Sequence, residues 1–182
     1  MKRLLGAVLL AGLGGVAILL LVPWNGGPLD ESGNAFGGPV QAGRAFTAFY
    51  DLRNNGGRSI EVVDVSLADH SRALVLLGAR AQTGGSPLAG AWPDFPPPHT
   101  KSVPAKKFVV PPHGDVPLLV GLEAEQVGDY FLMGVKVEYR VRYVGELGPR
   151  YRRTLTTRMA VCSQLQPLKP RRQSCRVPEI PE

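Results

Sequence analysis

Apolar and polar positions alternate along much of this chain. Phe131, Met133, Val135, Val137, Tyr139, Val141 and Tyr143 share one parity; Leu132, Gly134, Lys136, Glu138, Arg140 and Arg142 share the other. Successive side chains of a strand point to opposite faces, so this run predicts a long strand with one buried face. Residues 145–149 interrupt it. Residues 151–161 then alternate again, with Tyr151, Leu155, Met159 and Val161 on the apolar side. Upstream, Phe46, Ala48, Tyr50 and Leu52 line one face of a strand that ends in the turn residues Asn54-Asn55-Gly56-Gly57. In residues 60–67, Val63, Val65 and Leu67 keep one phase while Ile60 and Val62 keep the other. That predicts a bulge, or burial on both sides. Residues 73–79, 108–110 and 116–120 complete a set of seven short strands. Residues 82–105 break the pattern with Gly84-Gly85, Pro87, Pro93, Pro96-Pro97-Pro98 and Pro104, a loop long enough to suggest a function of its own.

The N-terminus is different. Residues 4–22 form 19 consecutive positions without a charged or polar side chain. A helix of that length crosses most of a ~30 Å hydrocarbon core. Lys2 and Arg3 precede the run and Trp24 follows it, which sets the N-terminus inside and the rest of the chain outside the cytoplasm. A cleaved signal peptide has a shorter apolar core and small residues before its cleavage point; Val22-Pro23-Trp24-Asn25 suits that poorly. The expected organisation is a transmembrane anchor at 1–24, a Gly/Pro/Asn/Ser-rich flexible stalk at 25–43, a β-sandwich at 44–162 and a tail at 163–182. Outside the anchor no segment carries a 3.6-residue period, so the fold class is all-β, a two-sheet sandwich of about seven strands.

Charge and cysteines refine this. The net charge is +6, but ten Lys/Arg against three Asp/Glu fall from Arg140 onward. Residues 25–139 hold nine against twelve. The asymmetry predicts a basic face or end. Cys162 and Cys175 are the two cysteines, and an even pair in an oxidising compartment reads as a disulfide that ties the tail to the last strand.

Gly128-Asp129-Tyr130, just before the longest strand, resembles the tyrosine corner of immunoglobulin-like domains, in which the hydroxyl bonds back to the backbone at the strand entry. Leu132 stands where an antibody domain has its inter-sheet cysteine. As a whole the chain resembles bacterial single-pass membrane proteins that carry an immunoglobulin-like domain of unknown function. The resemblance implies an architecture and no chemistry.

No catalytic constellation is legible: there is no G-x-S-x-G, both cysteines suit a disulfide, and the carboxylates are scattered. No cofactor is expected. Nucleic-acid binding has little support, because aromatic and basic residues do not interleave. An envelope copper chaperone is the alternative function, with His70, His99, His113, Met133 and Met159 as the soft ligands available, though none are spaced as a site. The leading expectation is a non-enzymatic binding or assembly module at the outer face of the cytoplasmic membrane, engaging another envelope protein or an anionic envelope polymer. Two sets of residues are the candidates. Trp92 and Phe95, in the proline-rich loop, are potential aromatic anchors. Arg140, Arg142, Arg152 and Arg158 share the polar face of the terminal hairpin. A five-residue loop at 145–149 would place Tyr143 opposite Tyr151, Tyr139 opposite Leu155, Arg142 opposite Arg152 and Lys136 opposite Arg158.

Overall fold

The structure, a computed structural model, describes residues 24–25, 27–30, 36–85, 92–143 and 146–165. Among them are eleven strands and no helix. These are β1 (Trp24–Asn25), β2 (Phe36–Gln41), β3 (Ala45–Arg53), β4 (Ile60–Leu67), β5 (Leu74–Gly84), β6 (Trp92–Pro93), β7 (Lys101–Pro104), β8 (Val109–Val110), β9 (Asp115–Ala124), β10 (Gly128–Tyr143) and β11 (Glu146–Gln164). They form two sheets. The first runs β1-β11-β10-β4-β8, with β2 also on β11; the second runs β6-β3-β9-β5-β7. The chain crosses between sheets at β2–β3, β3–β4, β4–β5, β7–β8, β8–β9 and β9–β10, so sequence neighbours face each other across one core. This is an all-β, immunoglobulin-like two-sheet sandwich. No helix among the described residues is long and apolar enough to cross a membrane. The apolar run at 4–22 lies outside the described residues.

Alternation builds the core as expected. Phe46, Tyr50, Leu52, Leu118, Val120 and Leu122 of the second sheet meet Ile60, Val62, Val137, Tyr139, Leu155 and Met159 of the first. The phase change in β4 is a bulge: Glu138 pairs with Asp64 and Tyr139 with Val62, which leaves Val63 over. Ile60 and Val62 on one side of it and Val65 and Leu67 on the other all reach the core.

The longest strand departs from strict alternation. Tyr130 and Leu132 face the core in place of Phe131 and Met133, and from Val135 onward the expected phase resumes. Gly134 makes the change, with φ at +144°. Its ladder shifts there too: Leu132 pairs with Met159, while Val135 pairs with Leu155, so β11 spends one residue more than β10. Both members of each pair stay inward. A Cβ at Gly134 would collide with the Leu155 carbonyl oxygen and stand 3.1 Å from Thr156 Cα, both backbone atoms that cannot swing away.

The hairpin register also differs from the five-residue-loop expectation. β10 ends at Tyr143 and β11 starts at Glu146. With a one-residue register shift between Arg140 and Arg142, Tyr139 pairs with Tyr151, Glu138 with Arg152, Lys136 with Thr154 and Arg140 with Arg150. Both registers keep apolar residues inward. The observed one stacks Tyr139 on Tyr151 (centroids 5.6 Å apart, planes at 22°) and sets Arg152 opposite a carboxylate in place of Arg142.

The tyrosine corner is present. Tyr130 Oη donates to the Gln126 carbonyl at 2.8 Å, closing the turn between β9 and β10.

The stalk expectation does not hold for the described part of residues 25–43. β1 and β2 both run parallel along β11, and Leu29 and Val40 are buried in the core. Leu29 N–H donates to Tyr139 Oη at 3.3 Å. Burial, partly offset by that amide, pushes the Tyr139 phenol up to about 12. The glycines and prolines that suggested a flexible stalk instead let the chain follow an edge, leave it at Leu29 and return; composition did not show that β11 had an unfilled edge.

Gly134→Ala tests this account of β10. It should cost about 2–5 kcal/mol, combining strain at positive φ with overpacking against backbone. Denaturant unfolding measures it; a loss under ~1 kcal/mol would show that the bulge relaxes without Gly.

Candidate functional site

The outer faces of the two sheets are unlike. That of the second sheet is covered by its own chain. β6 pairs with β3 at Phe46 and Thr47, Asp94 N–H donates to the Ala45 carbonyl at 3.0 Å, and Thr47 Oγ1 donates to the Asp94 carbonyl at 2.6 Å. The segment then crosses the sheet diagonally. Phe95 lies on Gly121 of β9 and beside Gly78 of β5, and Pro97 is buried. Beneath this strap Thr47 and Leu119 are fully buried, although they point away from the main core. Phe95, expected as a candidate anchor for a partner, is half-buried against its own sheet. The backbone of Trp92 pairs with Thr47; its side chain lies outside the described residues, as do residues 86–91.

The outer face of the first sheet is charged, and among the described residues no segment crosses it. Register sets three rows across β4, β10 and β11: Ser66–Lys136–Thr154, Asp64–Glu138–Arg152 and Glu61–Arg140–Arg150. In the middle row Arg152 is held by Glu138 through Nη2 at 2.5 Å and Nε at 3.1 Å. In the last row the Glu61 carboxylate lies 3.9 Å from Nε of Arg142, one residue further along β10. Arg140 and Arg150 are left abreast. The Nε of each is shielded from solvent and has no hydrogen-bond partner among the described residues. Like charges directly opposite are unfavourable in a ladder, so this pair is the electrostatically unfinished part of the face.

Of the four arginines expected to act together, the fold brings Arg140, Arg142 and Arg152 together at the tip half of the hairpin. It leaves Arg158 apart, six residues further along β11 and about 20 Å away. Arg142 does not oppose Arg152; each has its own carboxylate. Arg150, absent from the sequence-level set, takes the central place. Its signal was register: a two-residue gap alone would set Arg140 opposite Pro149, and the bulge between Arg140 and Arg142 moves it opposite Arg150. A second addition is Arg58, whose guanidinium sits 4.1 Å over the ring of Tyr143 at the hairpin tip. Asn54 fixes the loop that carries Arg58. Fully buried, it donates to the Arg58 and Pro111 carbonyls at 2.8 Å each and accepts from Gly56 N–H at 3.0 Å.

The residues considered for copper are dispersed. His113 lies in the turn before β9, at the hairpin-tip end. His70 bridges Leu132 towards the opposite end, and His99 lies in the strap. Met159 is in the core and Met133 half-buried. Among the described residues no three His, Cys, Asp or Glu side chains are grouped to hold a metal. Cys162 is not a free thiol; Cys175 lies outside the described residues.

Topology and the tyrosine corner define the class, an immunoglobulin-like β-sandwich. No protein-family model and no curated protein matches the chain. Solved structures give distant likenesses. One is a PapD-like domain of human CEP192, with 13% identity, TM-score 0.39, and 81% of this chain and 95% of that one covered. Another is the Vibrio cholerae VesB protease, with 9% identity, TM-score 0.41, and 74% and 32% covered. A third is the cupredoxin domain of amoB from Nitrosocaldus yellowstonii, with 18% identity, TM-score 0.32, and 72% and 63% covered. At these scores none carries an argument about what this chain does.

Gly121→Ala tests the strap. Its Cβ would fall within contact distance of three ring atoms of Phe95, so the ring must leave its seat. The expected cost is about 1–3 kcal/mol, with faster amide exchange at Asp94. Wild-type stability with unchanged exchange would mean that Phe95 does not hold the strap.

Proposed function

We propose that this chain is a non-enzymatic binding and assembly module, displayed outside the cytoplasm by an uncleaved N-terminal helix. The outer face of its first sheet engages an anionic envelope partner. The Arg140–Arg150 pair carries the reading. Two guanidinium groups abreast, each with a shielded donor left over, are relieved by an anion placed between them. The second sheet does not compete for this role, because the strap fills its outer face. The buried polar side chains Thr47 and Asn54 bond to backbone and hold loops, which suits a scaffold.

The test uses the full chain with Arg140→Thr and Arg150→Thr combined, and inorganic polyphosphate as the anionic probe. Thr suits a strand, and removing like charges should leave stability unchanged or raise it by up to ~1 kcal/mol. Retention on polyphosphate at low salt, where exposed charges are least screened, should fall several-fold. Equal retention by variant and wild type would reduce the pair to ordinary surface.

The tail belongs to the same proposal. We propose that Cys162, on β11 between Pro39 of β2 and Asp129 of β10, is bonded to Cys175 and fastens the C-terminal segment beside the sheet. Peptide mapping without reductant should recover the linked pair from envelope preparations, and two alkylatable thiols would refute it.

A further inference from the structure

We infer that the tip of the β10–β11 hairpin, with Tyr143, Arg58, Arg142 and Arg150, is seated in the headgroup layer of the membrane that holds the N-terminal helix, and that it takes anionic phospholipid there. The inference rests on the tether reading above and names the anion met by the basic face.

The argument is one of chain length and direction. β1 runs parallel to β11, with Trp24 beside Tyr151 and Asn25 beside Arg152. β11 starts at the hairpin tip and runs away from it, so the chain before Trp24 arrives from the tip side. The apolar run ends at Val22, and Pro23 alone stands between it and β1. Two residue steps of extended chain span at most about 7 Å. From Tyr151 back to Glu146, however, β11 continues five residues towards the tip, about 15 Å. The hairpin therefore projects further towards the membrane than the connecting chain can hold it away. The headgroup layer is only about 5–8 Å deep on each side of the hydrocarbon. An upright sandwich would carry the tip about 8 Å past the hydrocarbon boundary, so the domain tilts, which keeps the tip in the headgroup layer and lays the adjoining basic rows of the first sheet along it.

The side chains at the tip fit such a place. Tyr143 is 42% exposed with the Arg58 guanidinium over its ring, an aromatic and a cation together at the interface. Arg142 and Arg150 flank it, and basic residues near an anionic leaflet are attracted to it. Of the described carboxylates at this end, Glu61 is engaged by Arg142 and Asp115 by Arg53; the side chain of Glu146, paired with Tyr143 at the tip, lies outside the described residues. At the opposite end of the sandwich Asp69, Glu125 and Asp129 are exposed beside Arg44 and Arg72. An anionic surface thus attracts the tip in the same sense as the chain direction.

The full chain, reconstituted in phosphatidylcholine vesicles with and without one quarter phosphatidylglycerol, tests this. Tyr143→p-benzoylphenylalanine supplies a photocrosslinker at the tip and His70→p-benzoylphenylalanine a control at the far end. A thermal melt confirms that each variant is folded. Lipid adducts should form at position 143 and be about tenfold fewer at position 70, and phosphatidylglycerol should be the preferred adduct. Arg58→Ser with Arg150→Ser should remove that preference, a change of roughly tenfold or more. Equal adducts at both ends, or none at 143 in protein that floats with the vesicles, overturns the seating while leaving the tether intact. Adducts at 143 that ignore phosphatidylglycerol overturn the anionic assignment. Protein that does not float with the vesicles overturns the tether reading and the inference together.

Discussion

The pairing of β10 with β11 is the constraint on which the rest depends. Strands of 16 and 19 residues must keep every inward pair inward over their whole length. The ladder manages this by slipping register twice, once around Gly134 and once near the tip. Everything else in the first sheet hangs on this hairpin: β4 on one side, β1 and β2 on the other. Because the inward set is fixed by burial, the outward set is fixed with it. The rows that place Arg140 beside Arg150 and Arg152 beside Glu138 follow from the same register that stacks Tyr139 on Tyr151.

The two outer faces show opposite solutions to one problem. The second sheet carries apolar residues on its outer side, Leu119 among them, and spends a proline-rich segment to cover them. Gly121 is part of that solution, since only a residue without a Cβ lets the Phe95 ring lie so close to β9. The first sheet carries charges outside and needs no cover. A partner that reads charge has access to this sheet, whereas one seeking an apolar groove on the second would first have to displace the strap.

On the proposed reading of the apolar run as an anchor, the N-terminal segment would link location to architecture. A flexible stalk would have freed the domain to reach in any direction. With β1 laid against β11, orientation relative to that anchor would be a property of the fold. Tyr139 secures this entry, its hydroxyl accepting the Leu29 amide and its ring stacked on Tyr151 beside β1. The residue that packs the centre of the core also fixes how the chain enters the domain.

The sequence by itself determined the longer strands and most of their buried faces. Period-two alternation marked the long strands, the conflicting phases in residues 60–67 pointed to a bulge or two-sided burial, of which the structure has the bulge, and Gly128-Asp129-Tyr130 foretold the corner hydrogen bond. These are local properties, written in side-chain parity and short motifs. Tertiary structure alone decided what depended on partners distant in the chain. Two even registers satisfied the hairpin equally, and the choice between them rested on which residues then met across the strands. The edge that accepted β1 and β2 existed only once β10 and β11 had paired. Arg150 became a site residue through register, Arg58 through Tyr143, 85 positions away, and Phe95 a structural one through Gly78 and Gly121, 17 and 26 positions away, because proximity across a sheet is set by pairing and not by sequence separation.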